Sequence, residues 1–359
     1  MQVQRKELNF KDQNIYIGID VHKLSWTVCI FSDHLEHRKF QQPPSVEALT
    51  TYLHRNFPGA NCFSVYEAGF CGFHVHAKLQ AAGINNIVIN PADVPTTHKE
   101  KANKTDKRDS RKLARSLRSN ELEAIHIPTR KTQEDRALVR MRFTIRKDLS
   151  RIKCRIKSLL NFYGIEHAEQ FSSRGTHWSG RYMAWLKTVP MQHESGQAAL
   201  QLLIAEAEAI RKILLPVNRK IRTLSQTEFY AGNFELINSV PGTGLITGMS
   251  FLTAIEDINR FSSTNCFAGY VGLVPFCNDS GEKENNGPVT SRAPKLLRDM
   301  IVESAWTAAR KDPALHLVFC QLIKRMEPNK AIIRIARKLL NRIYCVLKTK
   351  IKYVCGTIE

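Results

Sequence analysis

Along the first third of the chain the apolar positions change period repeatedly, and each change predicts an element. Ile15–Asp20, Trp26–Phe31 and Arg38–Phe40 are short apolar or alternating runs with polar segments between them, which predicts an antiparallel meander. Pro43-Pro44-Ser45 then reads as a helix start, with Val46, Leu49 and Leu53 as the buried stripe. Cys62–Glu67 returns as a strand, Phe70–Ala82 is helical and stops at Gly83, Ile87–Ile89 is a short buried strand, and His98–Leu117 is a further helix. Three strands followed by alternating helices and strands predict an α/β domain over residues 1–125.

The period then lengthens. Leu138, Ile145, Ile152 and Leu159 recur at heptad spacing, with Leu149, Ile156 and Tyr163 between them and Arg142 as a polar exception. A second seam runs through Leu200, Ala207, Leu214 and Ile221, with Leu203, Ile210, Val217 and Leu224. These seams predict an α-helical coiled-coil linker over residues 126–232, joined through the stretch Gly164–Gly196 and pairing either within one chain or against another protomer. Pro216 is expected to kink or split the second helix. A mainly α-helical C-terminal domain, 233–359, is expected to bury Ile332, Ile335, Ala336, Leu339, Leu340, Ile343 and Leu347 on one face.

Charge narrows the function. The 359 residues hold 53 Lys+Arg against 33 Asp+Glu, a formal net charge of +20, which suits a polyanionic partner. Arg140, Arg146, Lys147, Arg151, Lys153, Arg155 and Lys157 crowd the first long helix, either as a solvated face or, since so one-sided a charge repels itself without phosphates nearby, as a nucleic-acid surface. There is no uninterrupted apolar stretch long enough for a membrane span, and Met1–Gln13 is polar and charged. The nine cysteines form no metal-like CxxC pair and are expected to be reduced core residues of a cytoplasmic protein.

Against that basic background four acids stand out. Asp20 ends the first strand, Glu67 ends the fourth, and Asp106 and Asp109 sit one turn apart on one helix face. Singly, Asp20 reads as a turn cap, and Glu67, Asp106 and Asp109 read as ordinary partners of nearby Lys or Arg. Together they suit a hard Mg²⁺ (or Mn²⁺) ion, which takes oxygen ligands and stabilises the attacking and leaving oxygens of a phosphoryl transfer. The element order matches the ribonuclease-H-like (RuvC-like) fold, in which acids at these places converge. His22, two residues past Asp20, either assists proton transfer or is hydrogen-bonded locally.

The motifs Gly18-Ile19-Asp20-Val21-His22-Lys23, Tyr66-Glu67-Ala68 and Thr105-Asp106-Lys107-Arg108-Asp109 are followed downstream by Val240-Pro241-Gly242-Thr243-Gly244, Phe267-Ala268-Gly269-Tyr270-Val271-Gly272-Leu273-Val274-Pro275 and Ser280-Gly281. In this order, over nearly the whole chain, they resemble a DEDD transposase of the IS110-like insertion-sequence family. The resemblance implies an RNA-guided serine recombinase: target and donor double-stranded DNA and a structured guide RNA as partners, and metal at Asp20, Glu67, Asp106 and Asp109. It also implies Ser280 as nucleophile, and a homo-oligomer, a dimer assembling to a tetramer with a composite site, in a bacterial or archaeal cytoplasm beside the nucleoid.

Without the resemblance, Ser280 is a surface turn residue. Asp279 and Glu282 flank it with negative charge that commoner members of the family lack, whereas Ser291 reads as a cap and Ser304 lies within an apolar helix. Ser262, Ser263 and Thr264 read as helix caps, and Pro241-Gly242-Thr243-Gly244 as either a phosphate-holding hairpin turn or a plain structural turn. Two other enzymes share parts of this pattern. A metal-dependent nuclease or junction resolvase would use water in place of Ser280. An actin-like kinase shares Ile17-Gly18-Ile19-Asp20, but Val21-His22 stands where its Gly-containing turn belongs, and the charge of +20 argues against it.

Overall fold

The computed structural model describes residues 9–95, 106–277, 286–290 and 293–356, in two compact units, Met1–Ile127 and Pro128–Glu359. The first unit holds strands β1 (Asn14–Val21), β2 (Trp26–Phe31), β3 (Glu36–Gln42), β4 (Asn61–Glu67) and β5 (Asn85–Ile89) in one mixed sheet, ordered β3-β2-β1-β4-β5. Short turns make β1–β2 and β2–β3 antiparallel, while helices α1 (Val46–Asn56) and α2 (His74–Ala81) carry the chain back and leave β1–β4 and β4–β5 parallel. Ser45 caps α1 by accepting from the Ala48 amide at 3.2 Å, and Val46, Leu49 and Leu53 are its buried face. The helix expected from Phe70 begins only at His74, because Gly72 at φ +55° closes a turn back to the Gly69 carbonyl first.

Helix α3 (Asp106–Arg118) is the described part of the helix predicted over His98–Leu117; its expected first residues fall outside the described residues. It lies on β1 with no side chain between the two backbones. A Cβ on Gly18 would run into the Ser110 carbonyl and the Ala114 amide. Glycine is therefore required in the middle of a strand where it otherwise costs stability.

In the second unit, α4 (Arg130–Phe162), α5 (Gly180–Thr188) and α6 (Glu194–Ser225) share a core. The two long helices pack on each other within the chain through Leu149, Ile152, Ile156 and Leu160 against Leu200, Ile204 and Ala207. The expected heptad seam is only partly the buried one: Tyr163 is exposed, Leu138, Ile145 and Leu159 are half-buried, and Leu160 takes the place given to Leu159. Because α5 adds Tyr182, Met183 and Leu186, each long helix meets more than one neighbour and buries a face wider than a two-helix seam. Arg142, the polar exception, donates its Nε to Asn218 Oδ1 at 2.8 Å. Pro216 does not split α6, which runs unbroken across it; packing of the long apolar face outweighs the one hydrogen bond a proline removes.

The remaining helices, α7 (Glu228–Asn238), α8 (Leu245–Ile255), α9 (Thr264–Val271), α10 (Lys295–Lys311), α11 (Pro313–Ile323) and α12 (Pro328–Thr349), form a larger core that Val139 of α4 and Ile221 of α6 also enter. The stripe predicted on α12 is wholly buried there. Strands β6 (Pro275–Cys277) and β7 (Asn286–Val289) pair antiparallel as a separate ribbon. The expectation of core cysteines fails at Cys154, Cys266, Cys345 and Cys355, which are exposed free thiols; apolar neighbours in sequence do not decide which way a side chain faces. Among the described residues no helix is long and apolar enough to cross a membrane.

The glycine contacts are testable. Gly18→Ala should destabilise the protein by about 1–3 kcal/mol through forced separation of α3 from β1. Gly180→Ala, where a Cβ meets open space, should stay within about 0.5 kcal/mol. Urea denaturation of both variants measures the difference, and equal midpoints would show that the Gly18 contact is not tight.

Candidate active site

Parallel pairing of β1 with β4 sets Ile19 opposite Tyr66, so the next residues, Asp20 and Glu67, stand on neighbouring strands at the carboxyl edge of the pair. Helix α3 brings a third acid to that edge. Its Ala114 end packs on Tyr16, Cys29 and Phe31, and the Arg118 guanidinium lies 5.1 Å from the Phe31 ring. The helix thus runs antiparallel to β1, and its first turns lie toward Asp20. Asp109 directly precedes Ser110, the residue that touches Gly18. Asp106 is one turn earlier, the first described residue of the helix, and its side chain lies outside the described residues.

Asp20, Glu67 and Asp109 are all partly buried. Asp20 Oδ2 is 3.2 Å from His22 Nε2, so the histidine is a local hydrogen-bond partner of the first acid. Among the described residues no three His, Cys, Asp or Glu side chains already form a metal-holding group. The donors at the edge are carboxylate oxygens, the type a hard divalent cation takes. Tyr66 stabilises the segment after Glu67: its buried hydroxyl donates to the Gly72 carbonyl at 3.0 Å and accepts from the His76 amide at 3.2 Å. Burial pushes its phenol above the usual range, so it stays a neutral donor. Arg111 is turned from the acids and pairs with Glu36 at 2.7 Å.

Ser280, with Asp279, Glu282 and Ser291, lies outside the described residues. What is described is the base of the ribbon on either side of Ser280. The Thr290 amide donates to the Val274 carbonyl at 3.1 Å, and Arg298 donates from Nη1 to the Thr290 carbonyl. Arg337 donates to the Leu273 carbonyl at 3.3 Å and to Asn265 Oδ1 at 2.6 Å. Ser304 is buried and bonded to Thr247 at 3.2 Å, and Ser263 caps α9 on the Cys266 amide at 3.2 Å. The Pro-Gly-Thr-Gly segment is packed into the core of the second unit. Gly242 at φ +88° is pressed against Ser304 and Ala308, and the Thr243 hydroxyl is buried against the Ile237 and Val240 carbonyls at 2.5 and 2.6 Å.

On α4, Arg140, Arg146, Lys147, Arg151 and Arg155 are exposed, whereas Lys153 and Lys157 lie 5.1 and 5.9 Å from the Trp178 ring. Burial, then the neighbouring Arg211, Arg146 and Lys157, hold the Lys153 ammonium below its usual pKa.

A family profile for DEDD transposases of the IS110 type matches residues 17–165, and one for the transposase IS116/IS110/IS902 family matches residues 234–319. The chain belongs to this transposase family. The y4qE protein of Sinorhizobium fredii is 26% identical over 297 residues, covering 81% of this chain and 71% of its own. The transposase for insertion sequence element IS1533 of Leptospira borgpetersenii is 24% identical over 309 residues, 82% of this chain and 85% of its own. That for IS1111A of Coxiella burnetii is 23% identical over 292 residues, 79% and 77% respectively.

In this family member the first match runs from β1 into α4 and takes in all four acids, and the second takes in the turn at Gly242 and Ser280. Sequence reasoning missed the positioning groups of the transposase. Gly18 sits in a motif whose reason, the close helix, is a tertiary contact, and Arg298 and Arg337 are two cations among many with no local signal. Arg298→Ala should free one leg of the ribbon. A charged hydrogen bond is worth about 1.5–3 kcal/mol, so amide exchange at Val289 and Thr290 should quicken roughly tenfold or more while α12 amides keep their rates. Unchanged exchange at Thr290 would remove Arg298 from this role.

Proposed function

We propose that this insertion-sequence transposase cuts and rejoins DNA by transesterification, with Asp20, Glu67, Asp106 and Asp109 as its metal site and Ser280 as its nucleophile. The observation that carries the metal site is the meeting of three acid-bearing elements at the carboxyl edge of β1 and β4, fixed by the Gly18 contact. The sheet order β3-β2-β1-β4-β5, with β2 alone antiparallel to β1, supports a ribonuclease-H-like reading of the first unit. Mg²⁺ or Mn²⁺ held there supplies positive charge to the phosphate oxygens.

The serine hydroxyl attacks phosphorus, forming an Oγ–P bond as the bond from phosphorus to one deoxyribose oxygen breaks and the hydroxyl proton passes to that oxygen. One ester replaces another, so the reverse attack by a deoxyribose hydroxyl rejoins the strand. His22, 3.2 Å from Asp20 Oδ2, holds that carboxylate's orientation. Support for the serine is the family's Ser-Gly context after Gly272-Leu273-Val274-Pro275 and the ribbon on which it is carried. RNA guidance and a dimer assembling to a tetramer rest on the resemblance, and a single discrete RNA species in the purified protein is the expected outcome of sequencing its bound nucleic acid. The second reading, a nuclease in which water attacks, shares the metal site and lacks the serine ester.

Asp106→Asn and Asp109→Asn should each lower Mg²⁺-dependent cleavage by roughly a hundredfold or more, with unfolding midpoints near wild type; cleavage at the wild-type rate in both removes the metal site. Wild type incubated with target DNA should yield a protein–DNA adduct that survives denaturing electrophoresis, absent from Ser280→Ala and kept by Ser304→Ala. If Ser280→Ala cleaves normally and neither protein forms the adduct, water is the nucleophile.

A further inference from the structure

A concentration of positive charge on α4 lines a depression. Arg142, Phe143, Arg146, Lys147, Ser150 and Arg151 of α4 form one wall of an open trough of about 500 Å³, and Ile246 of α8 and Met300 of α10 form the other. All four cations border this trough, over about 14 Å of helix. Their neutralisation by protein is slight. Arg151 pairs with Asp148 at 2.9 Å, Arg142 meets the neutral Asn218, and Arg146 and Lys147 meet no acid among the described residues. Burial, and to a lesser degree the neighbouring Arg146, hold the Arg142 guanidinium below its usual pKa. A protein gains nothing from such crowding by itself; an anion threading the trough relieves it.

The geometry points to this trough as a seat for the phosphate backbone of duplex DNA, an inference that rests on reading the chain as a DNA-cleaving transposase. The floor and walls are cationic tips, a hydroxyl and the apolar side chains of Phe143, Ile246 and Met300. A row of cationic tips with one hydroxyl suits phosphate and sugar oxygens, contacts that position a duplex. A rigid helix of 33 residues suits a stiff duplex, whose strands each present one phosphate per roughly 3.4 Å of axis, better than it suits a coiling single strand.

The test uses full-length protein, a random-sequence duplex of about thirty base pairs and a single-stranded RNA of the same length. R146E/K147E should weaken duplex binding at least tenfold in anisotropy titrations, and R146Q/K147Q should lower the slope of log affinity against log salt by about two, one per lost phosphate contact. K324E/R325E carries the same charge change on exposed residues outside the trough and should weaken binding less than threefold. Equal losses in the two reversal variants, an unchanged salt slope in R146Q/K147Q, or a loss confined to the RNA would each overturn the trough as a duplex seat. If wild type binds no duplex at all, the DNA-cleaving reading fails with it; if wild type binds and the trough variants bind equally well, the trough alone is wrong. Matching unfolding midpoints keep a folding defect from imitating the result.

Discussion

The approach of α3 to β1 at Gly18 is the contact on which the acidic edge depends. Two backbones meet there without a side chain between them. That contact sets the height and direction of α3, and so decides where its first turn stands relative to Asp20. The parallel register of β1 with β4 supplies the other half by bringing Asp20 and Glu67 out at the same edge. Carboxylates at the end of one strand and at the start of a helix are unremarkable separately. Brought to one edge, they offer carboxylate oxygens, the donor type on which the proposed metal site rests.

The second unit carries most of the excess positive charge. Its long α4 carries cations that its own acids do not neutralise, and where these cations border α8 and α10 the surface is hollow rather than flat. Two of the cations, Lys153 and Lys157, lie over Trp178, so the basic face is divided between a packed end and an open trough. The same unit braces the ribbon on either side of Ser280 with Arg298, Arg337 and the Thr290 amide. Each of these donates to a backbone carbonyl, which restrains the chain without depending on the side chains it carries.

Much of this was legible from residue order alone. The strand and helix sequence of the first unit, the capping role of Ser45 and Ser263, and the apolar stripe of α12 follow from local rules: period, cap chemistry and the glycine and proline breaks. The heptad reading of α4 and α6 was half right because period alone names a stripe but not its width. Once α5 covers part of the pair, Leu160 is buried and Tyr163 is exposed. At Pro-Gly-Thr-Gly the need for Gly242 comes from Ser304 and Ala308, residues far along the chain that close on it. Pro216 was tolerated because a long packed face outweighs one missing hydrogen bond.

The sequence by itself determined the elements, the net charge of +20 and the residue types available for chemistry, since these are set within a few positions or by simple composition. Tertiary structure alone decided which acids share an edge, which cations line a hollow and which cysteines face solvent. The physical reason is that burial and proximity are properties of pairs of surfaces: a helix does not know which of its faces will be covered until its neighbour, coded many residues away, packs against it.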